Sequence, residues 1–204
     1  MTSTVERRKR RIGWSARAFK DLVWPSFACE FPGELMPMES VADSHFAKIL
    51  DMRAGIDAWL LLPKSGPVRG IASRVQPAPP SRPWNTFTVR MSRPGARRPQ
   101  EFERWQAADS TIGAISSHYV VQAYVTPCVR HPSERPTSKW CNSDCVAGQS
   151  LISAAIVQRA DLMTAVERRV GREQTNSEDG VIFWCTPWQG DWHGGRIAVR
   201  GVAA

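Results

Sequence analysis

Short apolar runs rich in β-branched and aromatic residues recur along this chain and are typical of strands. They predict strands at residues 55–62, 68–76, 84–90, 118–126, 150–158 and 181–185. Lys64-Ser-Gly-Pro separates the first two runs and predicts a turn with antiparallel pairing across it.

Three segments between or before these runs have helical signals. Pro37 suits a first helical turn, Glu39 suits the positive end of the helix dipole, and Gly55 supplies a stop, so a helix is predicted over 37–53. Further helices are predicted over 100–108 and 161–172. Strands that alternate with helices predict an α/β protein with a mixed central sheet flanked by helices.

The length of 204 residues suits one sizeable core. We expect a basic N-terminal arm over residues 1–18 and a single α/β domain over residues 19–204. A segment rich in Pro and Ser, at about 127–147, indicates an insertion between two strands of that domain.

Positive charge is concentrated in two clusters, and the net charge is +8. Arginine pairs bidentately with phosphate, so these clusters predict a nucleic-acid partner, with DNA preferred over RNA. The alternative is that the arginines are spread over an ordinary solvated surface. The candidate phosphate-binding residues are Arg7, Arg8, Lys9, Arg10, Arg11, Arg74, Arg90, Arg93, Arg97 and Arg98.

Several other classes of protein lack support in the sequence. No apolar run approaches the roughly 18–20 residues of a membrane span. The N-terminal MTSTVERRKRR is not followed by the apolar core of a signal peptide, which predicts a cytoplasmic protein. Neither a phosphate-cradling glycine loop nor a G-x-S-x-G turn occurs, so ATPase and acyl-hydrolase activities are not indicated.

An acidic residue, Asp57, lies inside the first predicted strand. Alternate residues of a strand share a face, so Asp57 and, on the paired strand, Arg74 and Gln76 can lie together. With Glu39 from the preceding helix, Asp57 and Gln76 would form an oxygen-rich site suited to Mg²⁺ or Mn²⁺. The alternative is an ordinary ion pair between Asp57 and Arg74.

With these residues the chain resembles the PD-(D/E)XK nuclease superfamily over roughly Glu39 to Val125. The resemblance implies a restriction-endonuclease-like αβββαβ core, in which Glu39 matches the helical acid and Asp57 the strand aspartate. Gln76 matches the first position of the third motif. It further implies that Glu39, Asp57 and Gln76 are the catalytic residues, with Glu39 and Asp57 as ligands of the divalent cation.

The chain departs from the family pattern at one position. Ala78 stands where the family has the lysine that helps to activate the attacking water. Lys20, Lys48 or Lys64 would have to replace it for hydrolysis. The sequence therefore leaves two functions open: a metal-dependent nuclease, or a non-catalytic nucleic-acid-binding subunit assembled with other proteins. A third possibility is a domain that binds a small molecule or a protein.

A second metal site is predicted in the insertion. Cys128-x-x-His131 and Cys141-x-x-x-Cys145 form two close pairs of thiolate and imidazole ligands between two predicted strands. This is the chemistry of structural zinc, and four protein ligands leave no open position for catalysis. The alternatives are free thiols on a loop or a Cys141–Cys145 disulfide, which a reducing compartment disfavours. The insertion is therefore expected to be a small zinc-stapled hairpin.

Overall fold

The computed structural model describes residues 13–38, 54–63, 66–78, 84–96, 99–111, 115–127, 146, 148–177, 179–193 and 197–201. Within these ranges the protein is an α/β structure with two sheets and three helices.

The larger sheet has six strands, which lie in the order β1 (Glu34–Pro37), β2 (Ala58–Leu61), β3 (Val68–Pro77), β5 (Tyr119–Val125), β6 (Leu151–Gln158) and β9 (Ala198–Arg200). All neighbours are antiparallel except β3 and β5, which run parallel. The central strand β5 is buried along nearly its whole length, as expected for a strand covered on both faces.

The smaller sheet has three antiparallel strands in the order β4-β8-β7. They are β4 (Thr86–Ser92), β7 (Arg172–Thr175) and β8 (Ile182–Pro187). Its apolar side packs against the larger sheet and the helices, with Phe87, Val89 and Trp184 in a shared core with Tyr124 and Trp188.

Three helices cover the sheets. α1 runs over residues 13–18 and continues as a π-helical turn over Phe19–Val23. α2 (Glu101–Asp109) begins with a capping box in which the Gln100 N–H donates to Glu103. α3 (Arg159–Glu167) follows β6 directly, and its buried residues join the core that contains Tyr124 and Trp188.

The larger sheet is thus buried on both faces. One face packs against Trp14, Phe19 and Phe27 from the N-terminal segment. The opposite face meets α2, α3 and the smaller sheet through the core that contains Trp105 and Leu162. Burial on both faces explains why the middle strands consist of nearly continuous apolar residues.

The structure confirms the mixed α/β class and the predicted strands that became β2, β3, β4, β5, β6 and β8. It differs in three places. Pro37 ends strand β1 instead of beginning a helix, and most of the predicted helix over 37–53 lies outside the described residues. The predicted strand at 84–90 belongs to the smaller sheet, because it pairs with β8. The third helix begins at Arg159 and ends at Glu167, earlier than predicted.

Candidate functional site

Asp57 lies immediately before β2 and is tied to β3. Its N–H donates to the Ile71 carbonyl at 2.8 Å, and its Oδ2 accepts from the Ser73 N–H at 2.6 Å. A carboxylate that accepts a hydrogen bond from a backbone N–H of the neighbouring strand holds the two chain segments together. Asp57 therefore has a structural contact in addition to any role in binding a cation.

Gln76 lies at the other end of β3, where it is in register with Tyr124 of β5. It is three residues beyond Ser73, roughly 10 Å along an extended strand. The strand register thus separates Asp57 from Gln76 instead of bringing them together. Ala78, at the position of the family's lysine, is 1% exposed and packs in the core with Phe87 and Trp188.

Most of the other predicted site residues lie outside the described ranges. These are the cation ligand Glu39, the four predicted zinc ligands Cys128, His131, Cys141 and Cys145, and the basic residues Arg7, Arg8, Lys9, Arg10, Arg11, Arg97 and Arg98. Arg93 is described and is exposed just after β4.

Arg74 points into the junction between the two sheets and α2. Its guanidinium donates to the Thr88 carbonyl at 2.5 Å and to the Thr88 hydroxyl at 2.6 Å. It also forms an ion pair with Glu101 at 2.9 Å. We call Arg74, Thr88, Arg90, Glu101 and Gln122 the inter-sheet cluster.

Arg90 is the second arginine of the inter-sheet cluster. Its backbone N–H donates to Glu101 Oε2 at 3.0 Å, so one carboxylate oxygen joins β4 to Arg74. Both guanidinium groups lie over the Phe183 ring, at 5.7 Å for Arg74 and 5.8 Å for Arg90. Burial, followed by the charge of Arg74, lowers the pKa of Arg90. The Arg74 guanidinium is therefore engaged within the protein, and the Arg90 guanidinium is partly buried against Phe183. This setting does not favour their predicted role as phosphate contacts.

Buried polar groups continue this cluster into the core. The Thr88 hydroxyl donates to Gln122 Oε1 at 3.1 Å, and the Tyr124 hydroxyl donates to the Thr86 carbonyl at 3.3 Å. Burial raises the pKa of Tyr124 to about 12. Burial also raises the pKa of the Cys185 thiol, so this cysteine is protonated at neutral pH. The Thr88–Gln122 and Tyr124–Thr86 hydrogen bonds connect the two sheets, whereas Cys185 bonds to Gln174 within the smaller sheet.

An open pocket of about 490 Å³ lies at a different place, where β3 and β5 begin and α3 follows β6. No motif in the sequence indicates this pocket, because its walls come from five separate segments of the chain. It is lined by Trp59, Val68, Arg69, Ala108, Asp109, Ile115, Ser116, Ser117, His118, Tyr119, Gln158, Arg159 and Ala160.

His118 is held at this pocket by two hydrogen bonds to Gly70. The backbone N–H of Gly70 donates to the ring Nδ1 of His118 at 3.0 Å, and the backbone N–H of His118 donates to the Gly70 carbonyl at 2.6 Å. Nδ1 is an acceptor, so the neutral imidazole carries its proton on Nε2. Burial, and then the charges of Arg69 and Arg159, lower the pKa of His118. At neutral pH the ring is therefore an uncharged N–H donor.

The formal charge of the described residues is balanced. They include twelve Arg or Lys side chains and twelve Asp or Glu side chains. The excess of eight positive charges in the whole chain therefore belongs to the remaining segments, among them the run from Arg7 to Arg11.

The part of the chain that the structure describes contains no group of three or more His, Cys, Asp or Glu side chains arranged to hold a metal ion. Among the same residues, none of the helices has the length and apolar character required to cross a bilayer. Comparison with family models, curated proteins and solved structures gave no match, so no family is assigned to this chain.

Proposed function

We propose that this chain binds nucleic acid through its basic segments, and that binding rather than hydrolysis is its primary activity. The observation that carries this proposal is the distribution of charge. The described residues are balanced, and the whole excess of eight positive charges lies in the other segments. Because Lys and Arg bind phosphates and release counterions, these segments would supply most of the affinity for a polyanion.

The run from Arg7 to Arg11 is the densest part of this excess. It holds five consecutive basic residues, and Arg97-Arg98 adds a second short basic pair after β4. Contacts from such segments would go to the phosphate backbone and would depend little on base sequence. We therefore propose DNA as the first partner to test, with RNA as the comparison.

Two features favour binding over cleavage. Ala78 is packed in the core, so a side chain at this position does not face solvent. Asp57 and Gln76 are separated along β3, and Asp57 Oδ2 is engaged by the Ser73 N–H. A nuclease needs its cation ligands and its water-activating group within reach of the same phosphate.

One observation favours a nuclease as the second candidate. Strands β1, β2 and β3 form an antiparallel meander, and the chain then passes through β4 of the smaller sheet and α2 before β5 pairs parallel with β3. Apart from β4, this order supports the proposed restriction-endonuclease-like αβββαβ core, with Asp57 directly before the second strand. Glu39, which the resemblance places on the helix before the strands, instead follows β1 in the chain. In such an enzyme Asp57 and Glu39 would hold Mg²⁺ or Mn²⁺.

A structural zinc remains part of the proposal. β5 and β6 are antiparallel neighbours, and the Thr126 N–H donates to the Ser150 carbonyl at 2.9 Å. Both ends of the segment with the proposed zinc ligands are thus joined, as in a hairpin insertion. Elemental analysis of protein purified without chelator tests this directly, with one zinc per chain expected and none contradicting it.

Binding is tested by fluorescence anisotropy with labelled duplex DNA, single-stranded DNA and RNA. The informative variant replaces Arg7, Arg8, Lys9, Arg10 and Arg11 with Gln, and the matched control replaces only the four arginines with Lys. We expect the Gln variant to lose affinity on all three ligands and the Lys variant to retain most of it, since the attraction is mainly electrostatic. Equal affinity of the Gln variant and the wild type would overturn the proposal.

Cleavage is tested separately. Incubation of the wild type and Asp57→Ala with plasmid DNA and Mn²⁺ should give no difference in nicking if binding is the primary activity. Nicking by the wild type that Asp57→Ala abolishes, with the variant still folded by circular dichroism, would establish the second candidate instead.

A further inference from the structure

The pocket at the start of β3 and β5 contains one cation that the described residues leave without a counter-ion. Arg69 lines this pocket, and its side chain makes no ion pair within the described part of the chain. Arg159 also lines it, but its guanidinium is held by the Asp109 carboxylate and donates to the Ser117 carbonyl at 2.7 Å. Arg69 is therefore the positive charge that a ligand would meet.

Further hydrogen-bonding groups lie beside this charge. His118 Nε2–H is available as a donor, because Nδ1 is engaged by Gly70. Ser116 and Ser117 also line the pocket, and their hydroxyl oxygens are buried with no hydrogen-bond partner among the described residues. These two oxygens are shielded from solvent, so His118 Nε2–H is the hydrogen-bond donor that a polar ligand would meet beside Arg69.

The rest of the pocket is apolar. Val68 and Ile115 line it and are 48% and 55% exposed, and they are two of the three large hydrophobic side chains that are exposed in the described residues. The half-buried ring of Trp59 adds an aromatic surface. A flat apolar group fits these side chains, and an aromatic ring stacks on indole with useful affinity.

We propose that this pocket binds a nucleotide with a terminal phosphate, with the phosphate at Arg69 and His118 and the base against Trp59, Val68 and Ile115. Two sources share this chemistry: a free nucleoside monophosphate and the phosphorylated end of a nucleic-acid strand. The pocket is built from residues separate from the basic arm, so this proposal stands or falls independently of binding by the arm.

The test uses the full-length protein and NMR of the His118 imidazole, assigned with His118→Gln. The probes are adenosine monophosphate, adenosine, inorganic phosphate and oligonucleotides with and without a terminal phosphate. We expect adenosine monophosphate to raise the pKa of His118, because a phosphate dianion beside the ring favours the imidazolium. Adenosine should leave this pKa unchanged.

Arg69→Gln is the informative variant, and Arg168→Gln, an exposed arginine at the opposite end of α3, is the matched control. Arg69→Gln should weaken adenosine monophosphate on the order of tenfold, as expected for the loss of one charge-assisted contact, and Arg168→Gln should leave it unchanged. Equal losses in both variants would overturn the proposal.

The oligonucleotides are tested on protein whose Arg7–Arg11 run has been replaced with Gln, so that binding by the arm does not obscure the result. If the phosphorylated oligonucleotide raises the pKa of His118 more than adenosine monophosphate does, a strand end is the source. The reverse order identifies a free nucleotide. No change at His118 with any phosphate-bearing probe, or an equal response to adenosine, would overturn the proposal, whatever the arm binds.

Discussion

The Glu101 carboxylate of α2 joins β3 to β4 at the junction between the two sheets. Its Oε2 accepts from the Arg74 guanidinium at 2.9 Å and from the Arg90 N–H at 3.0 Å. Glu101→Gln keeps the shape and one carbonyl oxygen but removes the negative charge. Arg74 and Arg90 would then share a partly buried site with their counter-charge gone.

The expected loss of stability follows from these contacts. A hydrogen bond to a charged group contributes about 1.5–3 kcal/mol and a neutral one about 0.5–1.5 kcal/mol, so two weakened bonds cost roughly 2 kcal/mol. The arginines left without a counter-charge add to this. Their contribution is reduced by solvent, because the Arg74 and Glu101 side chains are 23% and 16% exposed. We expect Glu101→Gln to lower the free energy of unfolding by about 2–3 kcal/mol.

The measurement is urea unfolding followed by tryptophan fluorescence. With a slope of about 3 kcal/mol per M, the midpoint should fall by about 1 M. The matched control is Glu173→Gln, an exposed glutamate on β7, which should shift the midpoint little. The double variant Glu101→Gln with Arg74→Met should lose less than the sum of the two single variants, because the two residues interact directly. Equal shifts for Glu101→Gln and Glu173→Gln would refute this view of the junction.

Three further outcomes are expected. Folding lowers the pKa of His118, so the unfolded chain takes up its proton first and the free energy of unfolding should fall as pH drops from about 7 through 6.5. His118→Gln should weaken this pH dependence, and an unchanged pH dependence in that variant would contradict the prediction. In Tyr119→Phe, the remaining phenol of Tyr124 should ionise near pH 12 in the folded protein, and near about 10 in denaturant; ionisation near 10 in both states would contradict burial of its hydroxyl. Iodoacetamide should label exposed Cys29 quickly and buried Cys185 only after unfolding, and the proposed zinc ligands only after chelation; rapid labelling of those ligands without chelator would contradict the zinc proposal.

The strands with continuous apolar residues could be predicted because their burial is encoded locally. β5 and β6 are buried along most of their length, and their composition shows it. β7 could not be predicted, because Arg172–Thr175 is exposed throughout and is a strand only through its pairing with β8. The sheet to which β4 belongs could not be predicted either. Its sequence is typical of a strand, but its partner β8 lies far along the chain.

The candidate sites were less accessible from the sequence. The sequence indicates a surface cation at Arg74, because it does not show that α2 places Glu101 beside it in the folded protein. The distance between Asp57 and Gln76 depends on strand register, which a short motif does not specify. The pocket at His118 required segments from five parts of the chain to meet, and its one sequence signal was a histidine at the start of an apolar strand.

The proposal that basic segments attached to a charge-balanced body bind nucleic acid is tested most directly by the salt dependence of DNA affinity. If all five residues from Arg7 to Arg11 contact phosphates, the logarithm of the binding constant should fall with the logarithm of salt concentration with a slope of about −4 to −5 on duplex DNA. Replacing the five residues with Gln should remove most of that slope, because only other basic residues such as Arg97 and Arg98 would then remain to contact phosphates. A wild-type slope already near zero, or an unchanged slope in the variant, would contradict it.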